Sequence, residues 1–187
     1  VITPGITTAD DVEWWMWEKI LSLKLGAWFP PSISIQRFKE GEPKDRVIRP
    51  GDLLHCDMGI SYLGLMTDQQ QHAYVLKPGE TAPPPGLSAA LAEGNRLQDV
   101  LLAEFREGRT GNEILASALA AAKAAGLKPS VYTHPLGVHG HAAGPTIGLW
   151  DQQTGVPGQG DYPLYYDTCY SIELNAKTPV PEWGGQE

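Results

Sequence analysis

Asp57 and Asp68 stand eleven residues apart in a stretch that reads as short β-runs separated by tight turns. A hairpin there brings the two carboxylates side by side, an arrangement that costs several kcal/mol unless a cation or a shared proton offsets it. The plainer alternative is that each aspartate ends a strand or caps a turn. Three of the five histidines, His134, His139 and His141, fall within eight positions of a Gly-rich segment running to Gly144. Glycine lets the backbone approach a ligand closely. Clustered imidazoles suit metal ligation or proton transfer, against the alternative of a solvated loop. His139 and His141 share a face if the segment is extended, so spacing leaves open which of them would ligate. Glu173 lies in Tyr170-Ser171-Ile172-Glu173-Leu174, an apolar β-prone run. There an ionised carboxylate either faces solvent on an edge or is paired with a cation. Asp, Asp, Glu and one His form an oxygen-rich donor set suited to Mn²⁺, Fe²⁺, Co²⁺ or Zn²⁺. Two carboxylates can bridge a pair of such ions, and a dinuclear site can activate a water and clamp a carbonyl oxygen.

The elements that must hold these residues follow from local patterning. Thr8-Ala9-Asp10-Asp11 supplies an N-cap and an acidic first turn for a helix over Asp10–Lys24, with Gly26 as its stop. After Pro30-Pro31 the alternation of Ile33 and Ile35 predicts a strand, and residues 38–51 predict a loop. Leu53–Ile60, Tyr62–Asp68 and His72–Leu76 predict an antiparallel meander. Beyond the stiff Pro83-Pro84-Pro85-Gly86 connector, helical spacing runs from Leu87 to about Arg106. Thr110-Gly111-Asn112-Glu113 is a capping box for an Ala-rich helix ending at Ala125-Gly126. Short strands and Gly-rich turns return from Ser130, with Thr168–Leu174 the clearest. Helix, strands, two helices, strands is an α+β order without internal repeat.

Composition sets the outer bounds. The 187 residues suit one domain with one core, and a net charge of −8 disfavours nucleic acid or an anionic membrane as partner. No apolar run approaches the roughly 18 residues needed to span a bilayer, so a soluble globular protein is expected, in the cytoplasm slightly before other compartments. Cys56 and Cys169 make neither a disulfide scaffold nor a zinc knuckle.

With these residues in view, the chain resembles the M24 metallopeptidases, the pita-bread fold of methionine aminopeptidase, aminopeptidase P and prolidase. The resemblance rests on Asp57 and Asp68 in HCDMGISYLGLMTD, on Gly140-His141-Ala142-Ala143-Gly144, on Glu173 in YSIEL, and on the Pro4-Gly5-Ile6-Thr7 opening. It implies curved antiparallel sheets covered by helices, with one such catalytic domain over residues 1–187, cut short at the C-terminus and with truncation at the N-terminus left open. It also implies a dinuclear site of two divalent ions (Mn, Co, Zn or Fe) held by Asp57, Asp68, His141 and Glu173. The implied reaction is cleavage of an N-terminal residue or an Xaa-Pro bond of a short peptide by a metal-bound hydroxide. A homodimer is left open.

The chain departs from that pattern in places. A further family Glu bridges both metals, and Glu182 or Glu187 is the only carboxylate on offer after Glu173. Family histidines beyond the first sheet strand and beyond the ligand His have no counterpart in Ser32–Phe38 or Pro145–Trp150. His134 and His139 are therefore the candidates for substrate contact or proton transfer. These gaps also allow a pita-bread module that binds a peptide or protein partner without hydrolysis. A creatinase-like, metal-free hydrolase is disfavoured by the retention of Asp57, Asp68 and Glu173. Trp14, Trp15 and Trp17 are expected in the core or against a further domain, His55 and His72 in sheet packing, and Cys56 on the face opposite Asp57.

Overall fold

A computed structural model describes residues 2–185, and in it the chain divides into two compact units, one up to Pro84 and one of Pro85–Gly185. Glu187, one of the two carboxylates offered above, lies outside the described residues.

In the first unit, Thr8 opens helix α1 (Ala9–Ser22). Its hydroxyl accepts from the Asp11 N–H at 3.1 Å, and the Asp11 carboxylate accepts from the Thr8 N–H at 2.8 Å, satisfying two donors that a helix start would otherwise leave orphaned. Those bonds to Thr8 hold the Asp11 carboxyl below the usual range. The helix stops short of the expected Lys24, because Lys24 itself takes the left-handed conformation at φ 58° and turns the chain before Gly26.

Strand β1 (Gly26–Gln36) begins earlier than the prolines suggested. Pro30 and Pro31 lack an N–H for the ladder, and they fall in a register shift between Phe29 and Ser32. Strand β2 (Leu53–Tyr62) is the centre of the sheet. It pairs antiparallel with β1 on one side and with β3 (Leu65–Met66) and β4 (Gln69–Tyr74) on the other. Leu63 and Gly64, with φ of 51° and 80°, form the two-residue turn whose twist matches a hairpin. Ile33, Ile35 and Leu54 point from one sheet face into a core with Ala9 and Ile48, against Val12 and Met16 of α1. The loop after β1 is tied down by a buried fork that sequence reading missed. Arg37 donates to Asp52 through Nε at 2.8 Å and Nη2 at 2.9 Å, and Asp52 is 1% exposed. Of the three tryptophans on α1, Trp14 and Trp15 are 68% and 48% exposed, so they do not enter this core.

The second unit packs helices α2 (Pro85–Leu102) and α3 (Gly111–Ala124) on a two-stranded antiparallel sheet of β5 (Pro129–Leu136) and β6 (Cys169–Ala176). The capping box at Thr110 and Glu113 forms as expected, and α2 ends at Leu102, ahead of Arg106. Leu101, Ile114, Leu115, Ala118 and Leu119 bury their side chains with Val131, Ile147 and Leu164, and Ile172 and Leu174 pack on them. The free edge of β5 is covered by the long connection to β6. Thr133 and Ile147 exchange backbone bonds of 3.0 and 2.8 Å, and the Gln153 amide repeats the pattern on Val131 at 2.9 and 2.8 Å. Among the described residues no helix is long and apolar enough to cross a membrane.

Candidate metal centre

The first unit contributes a carboxylate-bearing sheet face. On β2, Leu54 and Cys56 face α1, and the Cys56 Sγ lies 3.9 Å from Met16 Sδ, so Cys56 points away from Asp57 as strand alternation requires. Burial, with the Asp57 charge beside it, pushes the Cys56 thiol up. Asp57 stands opposite Ser32 of β1 and Gln70 of β4 on the other face. Two residues before Gln70 is Asp68, in the break between β3 and β4, and the even step puts it on the face that carries Asp57.

That break is held by Thr67. Its N–H donates to the Ile60 carbonyl at 2.9 Å, its hydroxyl accepts from the Ile60 N–H at 3.1 Å, and its carbonyl accepts from Trp28 Nε1 at 2.7 Å. A side chain at position 59 would overlap the Trp28 indole nitrogen and the Thr67 carbonyl, so the glycine is required for this clasp.

The second unit contributes an imidazole and a carboxylate. Register pairs His134 with Ser171 and Tyr132 with Glu173, so all four share the face of the β5–β6 sheet that is turned away from the helices. His134 is 1% exposed, and its Nε2 lies 2.9 Å from Glu173 Oε1. Its Nδ1 is 3.2 Å from the Pro135 carbonyl, which is an acceptor for a proton on that nitrogen. With the proton on Nδ1, the Nε2 lone pair faces the carboxylate and a metal ion can bridge the two; with it on Nε2, the ring donates to Glu173. Two ligands on adjacent positions of a metal with bonds of about 2.1 Å are separated by about 3 Å, so the observed spacing fits metal ligation. The Ser171 hydroxyl is 3.4 Å from the same Glu173 oxygen.

His141, the expected ligand, stacks on the His134 ring at 4.0 Å between centroids and 9° between planes. His139 is exposed on the loop, where its carbonyl accepts from the Gly137 N–H at 3.1 Å. His134, expected to act on substrate, is thus the histidine placed next to Glu173. A cleft of about 560 Å³ opens beside it within this unit, lined by His134, His141, Pro145, Gln159, Tyr162 and Tyr165. Cys169 is exposed.

Glu182 accepts from the Gly86 N–H at 3.0 Å, and a Cβ at position 86 would displace the Glu182 carboxylate and crowd Pro181 at the start of α2. There one of the Glu182 carboxylate oxygens acts as a helix cap.

The sequence signature of metallopeptidase family M24 matches residues 1–186, and the chain belongs to that family. Its structure is similar to that of methionine aminopeptidase from Thermotoga maritima, at 20% identity and a TM-score of 0.62, over 90% of this chain and 68% of that one. It is likewise similar to a prolidase from Thermococcus sibiricus, at 16% identity and a TM-score of 0.60, over 94% of this chain and 49% of the other. Escherichia coli aminopeptidase P matches at 16% identity and a TM-score of 0.63, over 97% of this chain and 44% of its own. These likenesses establish the pita-bread fold. No curated protein sequence matches the chain.

Proposed function

We propose that this chain carries the metal site of an exopeptidase that hydrolyses an N-terminal or Xaa-Pro bond of a short peptide. In this reading Asp57 and Asp68 of the first unit and His134 and Glu173 of the second hold two divalent ions of the Mn²⁺, Fe²⁺, Co²⁺ or Zn²⁺ class. The observation that carries it is the His134–Glu173 contact at 2.9 Å, with the other ring nitrogen set against a backbone carbonyl. With the proton on Nδ1, the Nε2 lone pair is where a metal takes it. Bound ions supply polarisation of the scissile carbonyl and a water of lowered pKa. The protein's own part is to hold the donors: Trp28 and Thr67 brace Asp68, and the Ser171 hydroxyl touches the Glu173 carboxylate. His141, stacked on the ligand ring at the cleft, is placed to meet the peptide, and His139 on the same loop is the second candidate for that contact.

The test is turnover of a panel of Xaa-Pro and Met-Xaa dipeptides by the Mn²⁺- or Co²⁺-loaded chain, compared with its Asp68→Asn variant at equal folded content. Loss of hydrolysis in the variant supports the reading, and unchanged turnover overturns it. The engagement of Glu182 at α2 favours a second reading, a pita-bread module that binds a peptide without cleaving it. That reading predicts peptide binding unaffected by chelator.

A further inference from the structure

We propose that His55, Gln70 and His72 form an auxiliary site for one late first-row transition-metal ion, independent of the Asp57, Asp68, His134 and Glu173 set. His55 of β2 and His72 of β4 are directly opposite in the register, so both rings rise from one sheet face. Their centroids are 5.0 Å apart with 53° between planes. Two imidazoles bound to one ion through bonds of about 2.0–2.1 Å at a near-tetrahedral angle have ring centres about 5 Å apart, so the pair meets that requirement as it stands. Gln70 precedes His72 by two residues on the same face, and its Oε1 accepts from His55 Nε2–H at 2.9 Å; an ion entering there takes the place of that proton, which moves to His55 Nδ1, and Gln70 Oε1 becomes a third donor. His72 and Gln70 are exposed, so solvent completes the coordination.

The chemistry differs from that of the aspartates. Two imidazole nitrogens and one neutral amide oxygen favour Zn²⁺, Ni²⁺ or Cu²⁺ over Mn²⁺, whereas carboxylates suit the harder ion. An ion at this site would sit on the sheet face of Asp57, two residues along β2, and add positive charge there without using either aspartate.

Zn²⁺ titration by calorimetry, on the full chain preloaded with Mn²⁺, tests the assignment. Beyond any Zn²⁺ that exchanges with the preloaded Mn²⁺, one further Zn²⁺ per chain is expected to bind in the micromolar range to the wild type and equally to Asp68→Asn. His72→Ala and His55→Gln are each expected to weaken it by about tenfold or more while leaving Mn²⁺ content unchanged. Ring ¹⁵N resonances of both histidines should shift together on Zn²⁺ addition to the wild type, which needs no variant. Equal Zn²⁺ isotherms for the wild type and His72→Ala, or ring resonances that do not move, overturn the site. Because Asp68→Asn separates this isotherm from peptide turnover, failure here and failure of the proposed peptidase reading are distinguishable.

Discussion

Nε2 of His134 and Oε1 of Glu173 meet diagonally across β5 and β6 at 2.9 Å, since His134 is paired with Ser171 and Glu173 with Tyr132. The diagonal lets an imidazole and a carboxylate converge on one point, and the Pro135 carbonyl gives an Nδ1 proton its acceptor when Nε2 takes a metal.

Removal of each histidine in turn separates ligand from neighbour. His134→Ala is expected to lower Mn²⁺ or Co²⁺ affinity by on the order of 100-fold, and His141→Ala by about tenfold or less, since His141 stacks on the ring that meets Glu173. Metal per chain after desalting, measured by mass spectrometry with circular dichroism as the folding control, checks this. The reverse ranking would return the ligand role to His141.

Gly59→Ala tests the clasp behind Asp68. The added methyl group displaces Trp28 from the Thr67 carbonyl, and the break that carries Asp68 moves with it. Stability is expected to fall by about 1–3 kcal/mol, together with weaker metal binding. Urea unfolding and a Co²⁺ titration on the same preparation check both. Wild-type metal affinity in a variant that is clearly destabilised would show that the clasp supports the sheet alone.

What was legible in the sequence was mostly local. Thr8 and Thr110 announce their helices within four residues: the capping box read at Thr110 and Glu113 forms, and the N-cap read at Thr8 is completed by Asp11 into a second one. Asp57 and Asp68 share a face because the hairpin between them is short and strand alternation carries the rest. The choice among His134, His139 and His141 is different in kind. It depends on the register of β5 against β6, set by residues about forty positions apart, and a one-residue slip would have turned the other face outward. Pro30 and Pro31 hid the start of β1, since a bulge that tolerates missing donors has no signature of its own. The Arg37–Asp52 fork and the Gln153 side chain lying along β5 were invisible for the same reason: each joins residues whose meeting is decided by tertiary packing.

The Arg37–Asp52 pair should outweigh any surface ion pair of the first unit. Asp52 is 1% exposed and also accepts the Arg49 N–H at 2.7 Å, so Asp52→Ala strands a nearly buried guanidinium and a backbone donor. A loss of about 3–5 kcal/mol is expected. Asp45→Ala, which breaks the pair with Arg49 whose partners are about half exposed, should cost under about 1 kcal/mol. Urea midpoints of the two variants give the comparison, and similar values would show that the fork adds nothing beyond a surface contact.

Tyr170 gives the fold an alkaline limb. Its hydroxyl donates to the Pro145 carbonyl at 3.1 Å, its ring meets Phe105 edge-on at 5.2 Å, and burial pushes its phenol up to about 12. The unfolded chain releases this proton near pH 10, about two units earlier. The folded state therefore binds more protons across that interval. The contribution is whole below about pH 10 and is lost as pH rises towards about 12. Tyr74, also pushed up to about 12 by burial and by Glu80, adds a parallel loss from the first unit. Tyr170→Phe is expected to cost about 0.5–1.5 kcal/mol near neutral pH through the lost hydrogen bond, and then to show a shallower decline above about pH 10 than the wild type. Urea midpoints taken at intervals from about pH 8 to 11 decide it. Parallel declines in the two proteins would mean that the Tyr170 phenol ionises in the folded chain as readily as in the unfolded one.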